Sequence, residues 1–190
     1  MERIQNLLDR YDCKNDTEYK NALKEIIQDI TLLGLWRGGF FEKAAFYGGT
    51  ALRILYELDR FSEDLDFTLL EQQDNFNFLQ YWEPVKQQLA VFGINVTITE
   101  KKKEKITAIH SAFLKTNTKE HILKIGAPGF IGSKFQDQEL LTIKLEIDTQ
   151  PAPGFILQTQ ELLQPMPFWV RTLSLSSLFA GKMHAVLCRD

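Results

Sequence analysis

Between residues 16 and 35 apolar side chains recur at three- and four-residue spacing, so Leu23, Ile26, Ile27, Ile30 and Leu33 would share one face of a helix. Gly38 and Gly39 break that rhythm, and 40–43 reads as a short turn or helical segment before a strand at 44–47. A second amphipathic helix is expected over 51–58, with Ala51, Leu52, Ile54, Leu55 and Leu58 inward and Thr50 as its N-cap. Alternation then takes over and predicts a strand over 64–70. Residues 78–92 return to helical spacing, closed by Gly93. The stretches 94–99 and 106–114 alternate as the strands of a hairpin would, with the lysine-rich run 101–105 at its tip. Residues 126–135, with Pro128 and three glycines, read as a loop. A strand is expected at 141–148, ended by Pro151 and Pro153, and another short one at 168–173. A helix over 175–189 finishes the chain. Strands interleaved with helices, plus a hairpin, predict an α+β fold: a mixed β-sheet flanked by helices. The segment 1–43 is expected to pack, as a helical appendage, on a core made by 44–190.

The alternation that buries Leu65 and Phe67 puts Asp64 and Asp66 side by side on the opposite face of their strand. Two such carboxylates repel unless a cation lies between them. Hard divalent ions take one or two carboxylates together with substrate phosphates. Upstream, Tyr47-Gly48-Gly49-Thr50 leads into a helix, whose free N–H groups and positive dipole end suit a phosphate. A metal on one side and a phosphate cradle on the other imply a nucleoside triphosphate. At 141–148, Ile143, Leu145 and Ile147 alternate inward, leaving Lys144, Glu146 and Asp148 on the other face. A third carboxylate there would complete a two-metal site; Glu146 sits mid-strand, Asp148 at the strand end beside the prolines. In the last helix Leu175, Leu178, Phe179, Met183 and Val186 form an expected buried stripe, and Lys182 falls inside it, so it must snorkel or meet an anion.

Composition narrows the setting. With 190 residues, 44% of them hydrophobic and including 14 Phe, the chain can bury one sizeable core. A formal charge of -3 argues against a uniformly basic nucleic-acid binder, though the lysine run 101–105 leaves a local RNA contact open. Cys13 and Cys188, near opposite ends, form neither a disulfide framework nor a metal cluster. No apolar stretch is long enough for a membrane helix and the start is unlike a secretory signal, so a cytoplasmic protein with no membrane partner is expected. His110, His121 and His184 show no metal-ligand spacing, and Trp36, Trp82 and Trp169 are expected in the core or at an interface. Neither a G-x-x-x-x-G-K-[ST] loop nor a nucleophile elbow is present.

Two motifs together carry a resemblance: Gly48-Gly49-Thr50-Ala51-Leu52-Arg53, then Arg60-Phe61-Ser62-Glu63-Asp64-Leu65-Asp66-Phe67. The pair resembles the signature of AbiEii-like nucleotidyltransferases, the toxin components of abortive-infection and type IV toxin–antitoxin pairs, within the DNA polymerase β-like nucleotidyltransferase superfamily. The likeness extends through 143–148 to the segment 177–185. It implies a polymerase β-like fold and transfer of a nucleoside monophosphate from an NTP to an acceptor that could be tRNA, a protein or a small molecule. It implies Mg²⁺ or Mn²⁺ as cofactor and a cognate antitoxin as partner. By resemblance Gly48, Gly49 and Thr50 would bind phosphate and Asp64 and Asp66 the metal, while Lys182 would meet the nucleotide. Arg60 and Ser62 match positions near the phosphates, and Glu146 matches the third acid better than Asp148. Family members continue past the lysine helix to an Arg-Asp-x-x-Asp-Leu-like segment, whereas this sequence stops at Arg189-Asp190, so a core without that helical segment is expected. The competing expectation is a non-catalytic nucleotide- or partner-binding module on the same fold.

Overall fold

The computed structural model describes residues 2–73, 75–100, 109–117 and 140–188; the expected hairpin tip at 101–105 and loop at 126–135 lie outside them. Alternating segments are realised as β1 (Ala44–Tyr47), β2 (Asp64–Leu69), β3 (Thr97–Glu100), β4 (Ile109–Asn117), β5 (Leu140–Asp148), β6 (Leu157–Leu162) and β7 (Phe168–Leu173). They join in one mixed sheet of order β3-β4-β5-β2-β1-β7-β6. β2 runs parallel to β5 and antiparallel to β1, and β1 runs parallel to β7. The helices are α1 (Glu2–Leu8), α2 (Asp16–Arg37), α3 (Gly48–Tyr56), α4 (Trp82–Val91) and α5 (Leu175–Cys188).

Helical spacing explains α2. Leu23, Ile26, Ile27, Ile30 and Leu33 are all buried, in one cluster with Leu65, Phe67, Leu145 and Ile147 of the two central strands. Asn15 caps this helix by accepting from the Glu18 N–H at 3.0 Å. Beneath β2 lies an aromatic cluster: Phe40 meets Phe67 at 4.9 Å, Tyr81 at 5.0 Å and Phe78 at 5.5 Å between ring centroids. Phe67 thus anchors the strand one residue after Asp66.

Polar contacts from α2 fix the approach to that strand. The buried Gln28 amide donates to the carbonyls of Ser62 and Glu63, each at 3.0 Å, and Lys24 Nζ lies 2.6 Å from Glu63 Oε1. Glu25 accepts from the Tyr11 hydroxyl at 3.0 Å and from Arg53 Nε at 2.9 Å, tying α2 to α3.

Several expectations change. Helix α3 starts at Gly48 with Tyr47 in the capping position, so Thr50 lies inside its first turn and is not the N-cap. The helix stops at Tyr56, because Glu57 turns left-handed, and Leu58 is left exposed beyond it. The hairpin strands pair antiparallel in the register Thr97↔Lys115; the first starts three residues later than expected, the second reaches Asn117, and 106–108 lie outside the described residues. Helix α1 and strand β6 were not foreseen: the first is short, and the second, Leu-Gln-Thr-Gln-Glu-Leu, is a polar edge strand with little apolar alternation. On α5 only Leu178 of the expected stripe is buried; Leu175, Phe179, Met183 and Val186 are exposed, since no described element covers that side. Trp82 is buried, Trp36 rests against Phe168 at 6.1 Å, and Trp169 is half exposed.

Replacing Gln28 by Leu keeps the buried volume but leaves two loop carbonyls without their donor. The expected cost is roughly 1–3 kcal/mol of unfolding free energy. Urea denaturation checks this, and an unchanged midpoint would show that the loop does not depend on Gln28.

Candidate active site

Strand β2 builds the centre. Leu65 and Phe67 are fully buried, which turns Asp64 and Asp66 together onto the other face. The parallel register with β5 sets Asp64 opposite Lys144 and Asp66 opposite Glu146, while Asp148 falls one pair further on, opposite Thr68. Antiparallel β1 puts Tyr47 opposite Asp66, and β4 puts Ser111 opposite Glu146. Paired residues share a face, so Tyr47, Asp64, Asp66, Ser111, Lys144 and Glu146 form one polar patch across four strands.

The glycine turn closes directly on these acids. Gly48 has φ +83°, and a Cβ there would collide with the Asp66 carboxylate. A Cβ on Gly49 would lie 3.0 Å from Ser62 Oγ and 3.6 Å from Lys182 Nζ. Lys182 therefore reaches the turn from α5, which packs on α3. Its side chain is exposed rather than enclosed by an apolar arc, so the lysine arrives at the site across the surface. Thr50, fully buried, donates its hydroxyl to the Asp64 carbonyl and lies 2.8 Å from Ser62 Oγ. Its side chain thus braces the strand entrance, and Gly48 and Gly49 are the partly exposed residues at the start of α3.

On β5 the acids are differently engaged. Glu146 Oε1 lies 2.9 Å from Lys144 Nζ and accepts from the Ser111 hydroxyl at 3.1 Å. Asp148 Oδ1 accepts from the Gln150 N–H at 2.9 Å, capping the turn after the strand. Arg60 is exposed in the loop before β2, and among the described residues no hydrogen bond joins it to the acids. His110 and His184 are exposed.

Charge crowding marks the patch. Burial, then the neighbouring Asp64 and Glu146, push the Asp66 carboxyl up from 3.8 to about 6, against the opposing pull of Lys144 and Lys182. Burial also raises Asp64, with Lys144 countering it and Glu146 adding to it. Tyr47 is pushed up to about 12 by burial and by Asp66, Asp148 and Glu146. Its hydrogen bond to Glu146 raises Lys144, holding the ammonium charged. Sequence reasoning did not assign functions to Tyr47, Ser111 or Lys144. The alternation Ile143-Lys144-Leu145-Glu146 carried a signal for the lysine alone, because Ser111 and Tyr47 come into place only through strand pairing.

Comparison with known proteins bears on the family and the fold. A family model described as nucleotidyl transferase AbiEii toxin, type IV TA system, matches residues 30–190. A crystal structure of a candidate nucleotidyltransferase from Helicobacter pylori superposes with a TM-score of 0.52 at 22% identity, covering 84% of this chain and 56% of that one. JHP933 from Helicobacter pylori gives a TM-score of 0.53 at 20% identity, covering 94% of this chain and 60% of that one. The chain therefore spans less than two thirds of the length of either structure, and the likeness is one of fold. No curated protein matches. With acids, glycine turn and lysine joined as described, and with most of its length under that one family model, the chain belongs to the AbiEii nucleotidyl transferase toxin family of type IV toxin–antitoxin systems.

Proposed function

We propose that this chain transfers a nucleoside monophosphate from an NTP to an acceptor hydroxyl, with a divalent cation held by Asp64 and Asp66. The observation that carries this reading is the direct contact between the Gly48 turn and the Asp66 carboxylate, with Lys182 beside Gly49. A site for negative phosphate and a site for positive metal thereby share one wall. Among the described residues no three acid, histidine or cysteine side chains already gather closely enough to hold an ion. Two aligned carboxylates nevertheless suit Mg²⁺ or Mn²⁺, which complete their shell with substrate phosphates and water. The bound ion would supply Lewis-acid neutralisation of the triphosphate and a lowered pKa for the attacking hydroxyl.

The chain's own groups have separable tasks. The backbone N–H of the partly exposed Gly49 and the dipole of α3 receive phosphate oxygens. Lys182 adds a point charge at the same turn, and Ser62 and Arg60 lie on the loop beside it. Asp64 and Asp66 would hold the cation that neutralises the triphosphate, and Glu146, opposite Asp66, positions the attacking hydroxyl. Attack in line at the α-phosphorus forms the new phosphodiester linkage and releases pyrophosphate. The acceptor is tRNA, a protein or a small molecule. The biological setting we propose is that of a toxin restrained by a cognate antitoxin. Among the described residues no helix is long and apolar enough to cross a membrane.

Asp64→Asn and Asp66→Asn are each expected to lower transfer of labelled nucleotide by roughly a thousandfold, on the scale of lost electrostatic stabilisation. Circular dichroism should show an intact fold in both; undiminished transfer by either would contradict the metal role. A second expectation concerns pH. The folded Asp66 binds its proton more tightly than the unfolded chain, so its contribution to stability is present below pH 3.8 and is lost as pH rises through about 6. Without metal, Asp66→Asn should therefore be more stable than the wild type at pH 7.5, by roughly 1–2 kcal/mol after allowing for solvent screening, and the gap should close by about pH 4. Urea denaturation in EDTA at the two pH values reads this directly, and a variant less stable at pH 7.5 would refute the crowding.

A further inference from the structure

The patch contains a cation of its own. Lys144 stands opposite Asp64 in the strand register, and its Nζ lies 2.9 Å from Glu146 Oε1. Glu146 in turn stands opposite Asp66. The lysine side chain thus runs along the carboxylate face from one aspartate's level to the next, and its charge acts on both Asp64 and Asp66. It is about one-third exposed, and Glu146 is similarly placed at 28% exposure. The Ser111 hydroxyl donates to the same Glu146 oxygen at 3.1 Å, so this oxygen is doubly engaged.

We propose that Lys144 is a built-in counter-ion that competes with the divalent cation for the carboxylate face and holds Glu146 in reserve until the lysine turns away. The inference rests on the reading of Asp64 and Asp66 as the metal pair. Two positive groups cannot occupy the same few ångströms of a half-buried acidic patch without strong repulsion. Without metal, the ammonium relieves the repulsion among the acids and draws Glu146 toward itself. As the cation enters with its triphosphate, Lys144 swings outward and Glu146 becomes free to act on the acceptor. The lysine thereby sets the metal affinity of the free protein low and couples loading to the nucleotide.

The test is Mn²⁺ binding to the full chain without nucleotide, followed by electron paramagnetic resonance. Lys144→Met, and Lys144→Gln as a second neutral variant, should bind Mn²⁺ about tenfold more tightly than the wild type, whereas Lys144→Arg should bind as the wild type does. In EDTA at low salt the neutral variants should melt at a lower temperature, and Mn²⁺ should restore them by a larger shift than it gives the wild type. Unchanged or weaker Mn²⁺ binding by both neutral variants would overturn the proposal; such a lysine would be a phosphate ligand or a strand brace. Asp66→Asn separates the two levels of the argument. If it abolishes Mn²⁺ binding while the lysine variants match the wild type, the metal pair stands and the counter-ion role falls. If it leaves Mn²⁺ binding intact, the metal pair itself is wrong.

Discussion

The pleat of β2 is the constraint on which the rest depends. A strand that buries Leu65 and Phe67 completely has to present Asp64 and Asp66 side by side on its other face. A slip of one residue would put both carboxylates into the core, where an unpaired charge is far costlier than anything the strand gains. Register is therefore strongly determined, and the aromatic cluster around Phe40 secures it from below. The same strand order places β1 and β5 on either side of β2, so the glycine turn and the acidic strand arrive at the carboxylates from opposite flanks.

Crowding these acids is costly in itself, and the surrounding structure offsets part of that cost. Lys144 and Lys182 both lower the Asp66 carboxyl, while burial, Asp64 and Glu146 raise it more. The imbalance leaves a site poised to accept added positive charge, which a metal–nucleotide complex brings together with its own phosphates. Stability and function thus pull against each other at one strand. Gln28 and Lys24 of α2 hold the entering loop in place.

Local signals accounted for the acids, the turn and most of the core. Period-two alternation located β2 and β5, and helical spacing located α2, because burial on one face writes itself into neighbouring residues. The site residues Tyr47 and Ser111 left no such trace, since their place follows from strand pairing across distant parts of the chain. Thr50 illustrates a different limit. A Thr after two glycines suggests a cap or a phosphate ligand, yet its hydroxyl is spent on the Asp64 carbonyl and on Ser62. For Lys182 the buried-stripe ground fails, because that stripe is exposed; the resemblance also points to this lysine, and what brings it to Gly49 is the packing of α5 on α3. Polar edge strand β6 escaped notice because only its pairing with β7 gives it a strand's environment.

The central claim is nucleotidyl transfer at a carboxylate and glycine-turn site, and the fate of the individual phosphates tests it most directly. The protein would be incubated with Mg²⁺, a cell extract as acceptor source, and each NTP labelled either at the α- or at the γ-phosphorus. The account predicts that α-label becomes covalently attached to an acceptor while γ-label leaves as pyrophosphate. Attachment of γ-label would mark the protein as a kinase, and retention of neither label under any NTP would contradict catalysis at this site.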